Sequence, residues 1–335
     1  MLRKKLAVCL AAGLAAIALT GCGGSPEPID GTSGGSSDIS VDDGLIKVGV
    51  INLDPDESSF RAANVRDLKE AFTKEKGYNA SFAYSNNNEE QIEAARAYIG
   101  KGVDYLLLAA ADTSGWDSVL QDAKTANTKV ILFDRTIDVD ESLYEASVVS
   151  DMEKEGKMAV EWLKGQNLGR YEIIHIQGEM GNAAQIGRTG ALEEAAKSAG
   201  WRIVEQKAAG WSTKAAEQIV KDVIDSGKTF NVIYAENDNM AKGAVAALDK
   251  AKISHGVGKD VVIMSFDTNT WALEELLAGR WNYNGQCNPY QSSYIVEIIN
   301  KLEMGEKLDE KTVFMEEKGF EAETITHEDV EKYGI

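Results

Sequence analysis

Val130-Ile131-Leu132-Phe133-Asp134-Arg135 decides the fold. Its four apolar residues, two of them β-branched, suit a strand buried on both faces of a parallel sheet. The run then stops at an acid beside a base. In an open α/β sheet, ligands sit beyond the carboxyl ends of the strands, where loops present polar groups. Asp134 and Arg135 stand at such an end.

Outward from this run, apolar segments and amphipathic segments alternate. Strands are expected over 45–53, 78–84, 103–109 and 130–133, with helices over 58–76, 89–100 and 116–126 between them. After a connection over 137–149 the alternation restarts. Strands are then expected over 171–177, 201–208, 231–235, 261–266 and 281–286, and helices over 153–164, 182–199, 213–226, 239–250, 270–278 and 290–304. This spacing implies parallel βαβ units. The two halves have the same architecture, so the fold class is α/β: two Rossmann-like lobes, each a mostly parallel sheet with flanking helices.

The 335 residues, 44% of them hydrophobic, suffice for two domain-sized cores. No internal apolar run approaches the ~18 residues of a membrane span. The N-terminus is different: Arg3, Lys4 and Lys5 precede an apolar stretch and then small residues, the pattern of a signal peptide over 1–21. Leu19-Thr20-Gly21-Cys22 resembles the lipobox of bacterial lipoproteins. That resemblance implies cleavage before Cys22, a lipid on its thiol, and attachment to the extracytoplasmic face of the cell membrane. Residues 22–44 are rich in Gly, Ser and Asp and read as a flexible tether.

Of the three cysteines, Cys9 leaves with the signal and Cys22 is lipidated, so Cys287 has no partner for a disulfide and is expected as a small packed residue. The formal net charge of −19 repels nucleic acid and anionic lipid headgroups, so neither is expected as a partner of the protein surface.

Several strand ends share one habit, an apolar run followed by a polar or aromatic cluster. Leu106 to Ala111 leads to Asp112; Val232-Ile233-Tyr234-Ala235 leads to Asn237 and Asp238; Val262 to Phe266 leads to Asp267. Phe60-Arg61 follows the first strand, Gly210-Trp211 follows the strand ending at Ala208, and Arg188 lies on the helix after Gly181. Each feature alone has an ordinary explanation: an acid after a strand commonly caps a helix, and Phe60 or Trp211 could be core. Together they make the surface a polyol requires. Carboxylates, amides and guanidinium groups hydrogen-bond vicinal hydroxyls, and aromatic faces cover the C–H faces of a sugar ring.

Catalytic patterns are poor. His175, His255 and His327 are far apart, and no zinc-protease, nucleophile-elbow, Walker or dinucleotide motif occurs. The stretch Asp138 to Ser142 has only part of a calcium loop. No enzyme activity, cofactor or metal is expected.

From about Ile46 to Lys307, the chain resembles the type I periplasmic sugar-binding proteins of ABC importers, the ribose and galactose group. Phe133-Asp134-Arg135-Thr136-Ile137-Asp138, Ser114-Gly115-Trp116, the stretch Tyr234 to Ala241 and the stretch Gly178 to Arg188 look nearest to the galactofuranose-binding type. The resemblance implies two lobes joined by three crossings near Asp134 to Thr136, Gln286 to Pro289 and Phe314 to Lys318. Residues 45–134 plus 287–315 would form the N-terminal lobe, and 135–286 plus 316–335 the C-terminal lobe. It implies sugar-binding roles for Phe60, Arg61, Asn87, Asp112, Asp134, Arg135, Arg188, Trp211, Asn237, Asp267 and Gln286, with Phe60 and Trp211 clamping the ring from opposite lobes. Phe60 stands where the galactofuranose type has Trp. Asp112 stands where that type is apolar and the ribose type has an acid. The implied function is capture of a monosaccharide, galactofuranose-like or another pentose or hexose, by a monomer that delivers it to importer permease subunits. The alternative is a sugar sensor feeding a membrane kinase or chemoreceptor.

Overall fold

The structure, a computed structural model, describes Ile39 and residues 43–335. The expected signal peptide, Cys22 and most of the tether lie outside the described residues.

In chain order the strands are β1 (Ile46–Asn52), β2 (Tyr78–Tyr84), β3 (Tyr105–Leu108), β4 (Lys129–Asp134), β5 (Ala146–Val149), β6 (Glu172–Gln177), β7 (Arg202–Ala208), β8 (Val232–Ala235), β9 (Val262–Phe266), β10 (Tyr283–Gly285), β11 (Thr312–Phe314) and β12 (Gly319–Glu321). The helices are α1 (Ser59–Ala71), α2 (Asn88–Gly100), α3 (Asp117–Thr125), α4 (Met152–Gly165), α5 (Ala183–Ala199), α6 (Thr213–Asp225), α7 (Asp238–Ala251), α8 (Thr270–Leu277), α9 (Ser292–Glu303) and α10 (His327–Tyr333). The strands form two six-stranded sheets, ordered β11-β5-β4-β3-β1-β2 and β12-β10-β9-β8-β6-β7. All pairs in the first sheet are parallel. In the second, only β10 with β12 is antiparallel.

The opening run shows why these residues form these sheets. Successive side chains of a strand point to opposite faces. Ile131 and Phe133 accordingly enter one apolar cluster with Val48, Val50 and Leu107, while Val130 and Leu132 enter another with Ile51, Leu106 and Leu108. A strand flanked by partners on both edges and by helices on both faces has no polar side to offer, so its sequence is apolar throughout. Helices are started by side-chain caps at the strand ends: Ser58, Asn182, Ser212 and Asn237 each accept a backbone N–H from the first turn.

The crossings define the lobes. β5 pairs with β4 in the first sheet. The chain therefore stays in the first lobe past Asp134 and crosses at Ser150–Asp151, just before α4, which packs on α5 and β10 of the second lobe. This corrects the expected crossing at Asp134 to Thr136 and the lobe boundary at residue 134. The four residues of β5 follow an irregular, polar connection, so they lack the length and flanks that reveal a strand in sequence. A second crossing lies between β10 and α9, whose Ile295, Ile298 and Ile299 join the first lobe's core. A third lies between β11, in the first sheet, and β12, in the second.

The domain also begins earlier than residue 45. Ile39 is only 2% exposed and packs among Ile51, Ala95, Tyr98 and Trp116. Lys74 Nζ and Asn79 Nδ2 donate to Asp43 Oδ2 at 3.4 and 3.2 Å. Ile39 and Val41 are too few apolar residues in a Gly-, Ser- and Asp-rich segment to mark an element, so the expected tether runs too far. Burying an isoleucine side chain is worth about 1.5–3 kcal/mol. A chain begun at Leu45 should therefore unfold in urea at a lower midpoint than one begun at Ser37, by about that free energy. Equal midpoints would show that Ile39 adds no packing.

Candidate functional site

The carboxyl ends of the two sheets face each other across a tight cleft. From the first lobe it is lined by Glu57, Ser58, Phe60 and Arg61 at the start of α1 and by Asp134 and Arg135 after β4. From the second lobe come Met152, Ala184, Arg188, Trp211, Asn237 and Asp267, with Cys287 on the second crossing. Three of these residues leave strands in the left-handed region: Asp134 with φ 66°, Trp211 with φ 63° and Asp267 with φ 106°. That conformation is costly for residues with a Cβ and persists where surrounding contacts enforce it, commonly at ligand sites.

On the first lobe the guanidinium of Arg61, 1% exposed, is fully partnered at both terminal nitrogens. Nη1 donates to Asn52 Oδ1 at 2.9 Å and Asn64 Oδ1 at 3.2 Å, and Nη2 donates to Asp134 Oδ2 at 2.5 Å. Arg135 Nε lies 3.2 Å from the same Asp134 oxygen, and its Nη1 donates to the carbonyl of Ala110 at 3.3 Å. Glu57 stands 3.5 Å from Arg61 and 4.0 Å from Arg135. Burial disfavours the charge on Asp134, but the guanidinium groups of Arg61 and Arg135 outweigh it and hold its carboxyl below the usual carboxylate range. Two arginines and two acids thus make a locally neutral, dry cluster.

On the second lobe Arg188 Nε and Nη2 straddle Glu155 Oε2 at 2.8 and 2.7 Å. Nη1 donates to the carbonyl of Glu236, and the guanidinium carbon lies 4.6 Å from the centre of the Phe266 ring. Asp267 Oδ1 is 3.7 Å from Arg188 Nη2. Burial pushes the Asp267 carboxyl well above its ordinary range despite that arginine. Asn237 Oδ1 accepts from Met240 N at 2.9 Å, which orients the amide at the start of α7.

The aromatic residues meet across the cleft. Phe60, from the first lobe, and Trp211, from the second, are each 6% exposed and belong to one apolar cluster with Met152, Ala184 and Cys287. The Trp211 ring lies so close over Gly178 that a Cβ there would be 1.9 Å from it. Glycine at 178 is thus the seat of the tryptophan. Trp211 Nε1 is buried and has no hydrogen-bond partner among the described residues. Apolar faces, three guanidinium groups and several carboxylates around a small cleft can bind a compact polyhydroxylated molecule by directional hydrogen bonds while excluding water.

Of the residues singled out in sequence, the structure brings together Phe60, Arg61, Asp134, Arg135, Arg188, Trp211, Asn237 and Asp267. It keeps three out of the lining. Asn87 is exposed, and its side chain accepts from Glu90 N at 3.1 Å, so it is occupied as the cap of α2. Asp112 Oδ1 accepts from the backbone and hydroxyl of Ser114, both at 2.8 Å, and the residue lies at the cleft edge opposite Gly181. Gln286 is on the second crossing, where its N–H donates to the carbonyl of Lys318 at 2.9 Å and ties that crossing to the third. The lining also includes Glu57, Ser58, Met152, Ala184 and Cys287, which sequence reasoning did not assign to a site. Glu57 shares a loop with Asp54 and Asp56 and Glu155 shares a helical turn with Glu153, so neither stood out in so acidic a chain.

Residues 48–307 match the periplasmic binding protein domain family. The galactofuranose-binding protein of Escherichia coli (strain K12) is 29% identical over 262 residues, covering 76% of this chain and 81% of that one. The fructose import binding protein of Bifidobacterium longum (strain NCC 2705) is 28% identical over 328 residues, covering 95% and 94%. Among solved structures, the periplasmic binding protein component of the arabinose ABC transporter from Shewanella sp. ANA-3, bound to α- and β-L-arabinofuranose, aligns with a TM-score of 0.79 at 28% identity, covering 86% of this chain and 95% of that one. These relatives bind and hand on sugars; they are not enzymes. Two parallel-sheet lobes, three crossings, a polar and aromatic cleft between them and a match across 48–307 place the chain in the periplasmic binding protein family, as a type I sugar-binding protein of ABC importers.

Proposed function

We propose that the chain captures a monosaccharide in its furanose form and, held to the extracytoplasmic membrane face by lipid on Cys22, delivers it to the permease of an ABC importer. The observation that carries the reading is Phe60 and Trp211, one from each lobe, in a single apolar cluster beside Arg61, Asp134, Arg188 and Asp267. Two apolar faces close on a ring while the charged groups take its hydroxyls. A small cleft favours one compact ring over an oligosaccharide. The furanose form is supported by the galactofuranose-binding relative and by the similar structure holding L-arabinofuranose. Fructose, named for the second relative, also has a furanose form. The lipid anchor rests on Leu19-Thr20-Gly21-Cys22.

A thermal-shift panel of L-arabinose, D-fructose, D-ribose, D-glucose and galactofuranose tests the ligand class. A ligand that binds only the native state at a hundred times its Kd adds about 2.7 kcal/mol of stability. A sugar with an accessible furanose form should raise Tm, and D-glucose, almost wholly pyranose in water, should not. A shift with D-glucose alone would contradict the furanose reading.

With the binding sugar in hand, Phe60→Ala and Trp211→Ala should each weaken affinity about 30-fold or more, the effect of truncating a buried aromatic anchor. Stability without sugar should change little if both rings line an open cleft. The reverse result, loss of stability with affinity intact, would make them core residues. A Cys22→Ser precursor should fail to take up a fatty-acid probe and leave the membrane fraction; retention with labelling would refute the anchor.

A further inference from the structure

The three crossings meet at one buried group at the back of the cleft. Ser150 lies on the first crossing, Cys287 and Asn288 on the second, and Glu317 on the third; Glu155 faces them from the first turn of α4. Side-chain donor atoms of Glu155, Cys287 and Glu317 lie within 4.8 Å of one another. Ser150 Oγ donates to Glu317 Oε1 at 2.6 Å, and Asn288 N donates to the same oxygen at 2.7 Å. Ser150 Oγ is also 3.6 Å from Cys287 Sγ.

The distribution of these bonds is uneven. Glu317 takes both donors on Oε1, which leaves Oε2 for a proton. Glu155 takes both Arg188 bonds on Oε2, and its buried Oε1 has no partner among the described residues. An orphaned carboxylate oxygen in a dry site is unfavourable unless something donates to it. The only carboxyl in the group able to carry a proton toward it is that of Glu317.

We propose that Glu155 and Glu317 hold one proton between them and so pin the three crossings together, a hinge lock that alkaline pH opens. The surrounding charges agree. Arg188, from α5, pairs with Glu155 at 2.7 Å and lies 3.7 Å from Asp267, with no ion pair to Glu317 among the described residues. Lys318 turns outward to Asp329 at 3.1 Å. Tyr283 of β10 and the thiol of Cys287 face Glu155 as neutral groups, both pushed up by burial and by Glu155. Burial and then the neighbouring Glu155 push the Glu317 carboxyl up to about 9. Two like charges so close cannot both ionise cheaply, so one proton is retained. Because Arg188 touches both Glu155 and the cleft, the lock is mechanically joined to the binding site but does not require the sugar to be known.

A folded-state pKa raised above that of the unfolded chain gives stability that is complete below the ordinary carboxyl range and is lost as pH rises toward about 9. Urea unfolding of the full mature chain, without sugar, should show the unfolding constant rising at least about tenfold more for wild type than for Glu317→Gln between about pH 6 and pH 9. Parallel profiles would overturn the proposal. If Glu317→Gln does not fold, infrared spectroscopy of wild type with ¹³C-labelled glutamate decides. A neutral carboxylic acid band should be present at neutral pH and vanish above about pH 9; its absence at neutral pH would overturn the proposal. So would a stoichiometric metal ion in the purified protein whose removal lowers Tm, since a cation would then fill the place given to the proton.

Discussion

Three guanidinium groups, those of Arg61, Arg135 and Arg188, are held out of water at one cleft, and the rest of the structure answers that constraint. An isolated buried charge costs several kcal/mol, and removing the partner of a buried pair typically costs about 3–5 kcal/mol. Each arginine is therefore matched by acids that are also buried: Asp134 and Glu57 on the first lobe, Glu155 on the second. Arginine suits the task because its planar fork donates in several fixed directions and stays charged when desolvated. Only a rigid scaffold can hold so many charged groups in register, and parallel strands ending side by side provide one.

The two halves of the cleft differ in how their charge is balanced. On the first lobe, two arginines meet two acids and the cluster is self-contained. On the second, Arg188 is shared between Glu155, which faces the hinge, and Asp267, which faces the cleft. Phe60 sits on the second lobe's apolar cluster, and both charged sets are buried beside it. A sugar hydroxyl arriving there would meet polar groups whose alternative, once the cleft is closed, is to remain unsatisfied. That penalty, more than any single hydrogen bond, is what makes such a site selective for a polyol.

Most of the architecture was legible because both lobes obey one simple pattern. Val130 to Phe133 and Leu106 to Leu108 are apolar throughout since parallel strands are covered on both faces, and the polar residues that follow them mark the cleft. What stayed hidden was short, lone or ordinary. Ala146–Val149 is a strand of four residues after an irregular segment, so the first crossing was placed too early. Ile39 has only Val41 for apolar company in a Gly-, Ser- and Asp-rich segment. Asn87 is chemically suited to a sugar, yet its side chain is taken by a helix cap, a competition that only coordinates reveal. Glu57 and Glu155 are acids in a chain with 54 of them, and their burial beside arginines had no signature in sequence.

In the cycle proposed above, the lobes close on a sugar, and rotation about the crossings brings Phe60 to Trp211. Small-angle X-ray scattering of the mature chain, free and then saturated with the sugar returned by the thermal-shift panel, tests it most directly. The radius of gyration should fall on saturation, and the saturated profile should match the arrangement in which Phe60 meets the Trp211 cluster. An unchanged profile at full occupancy would contradict it.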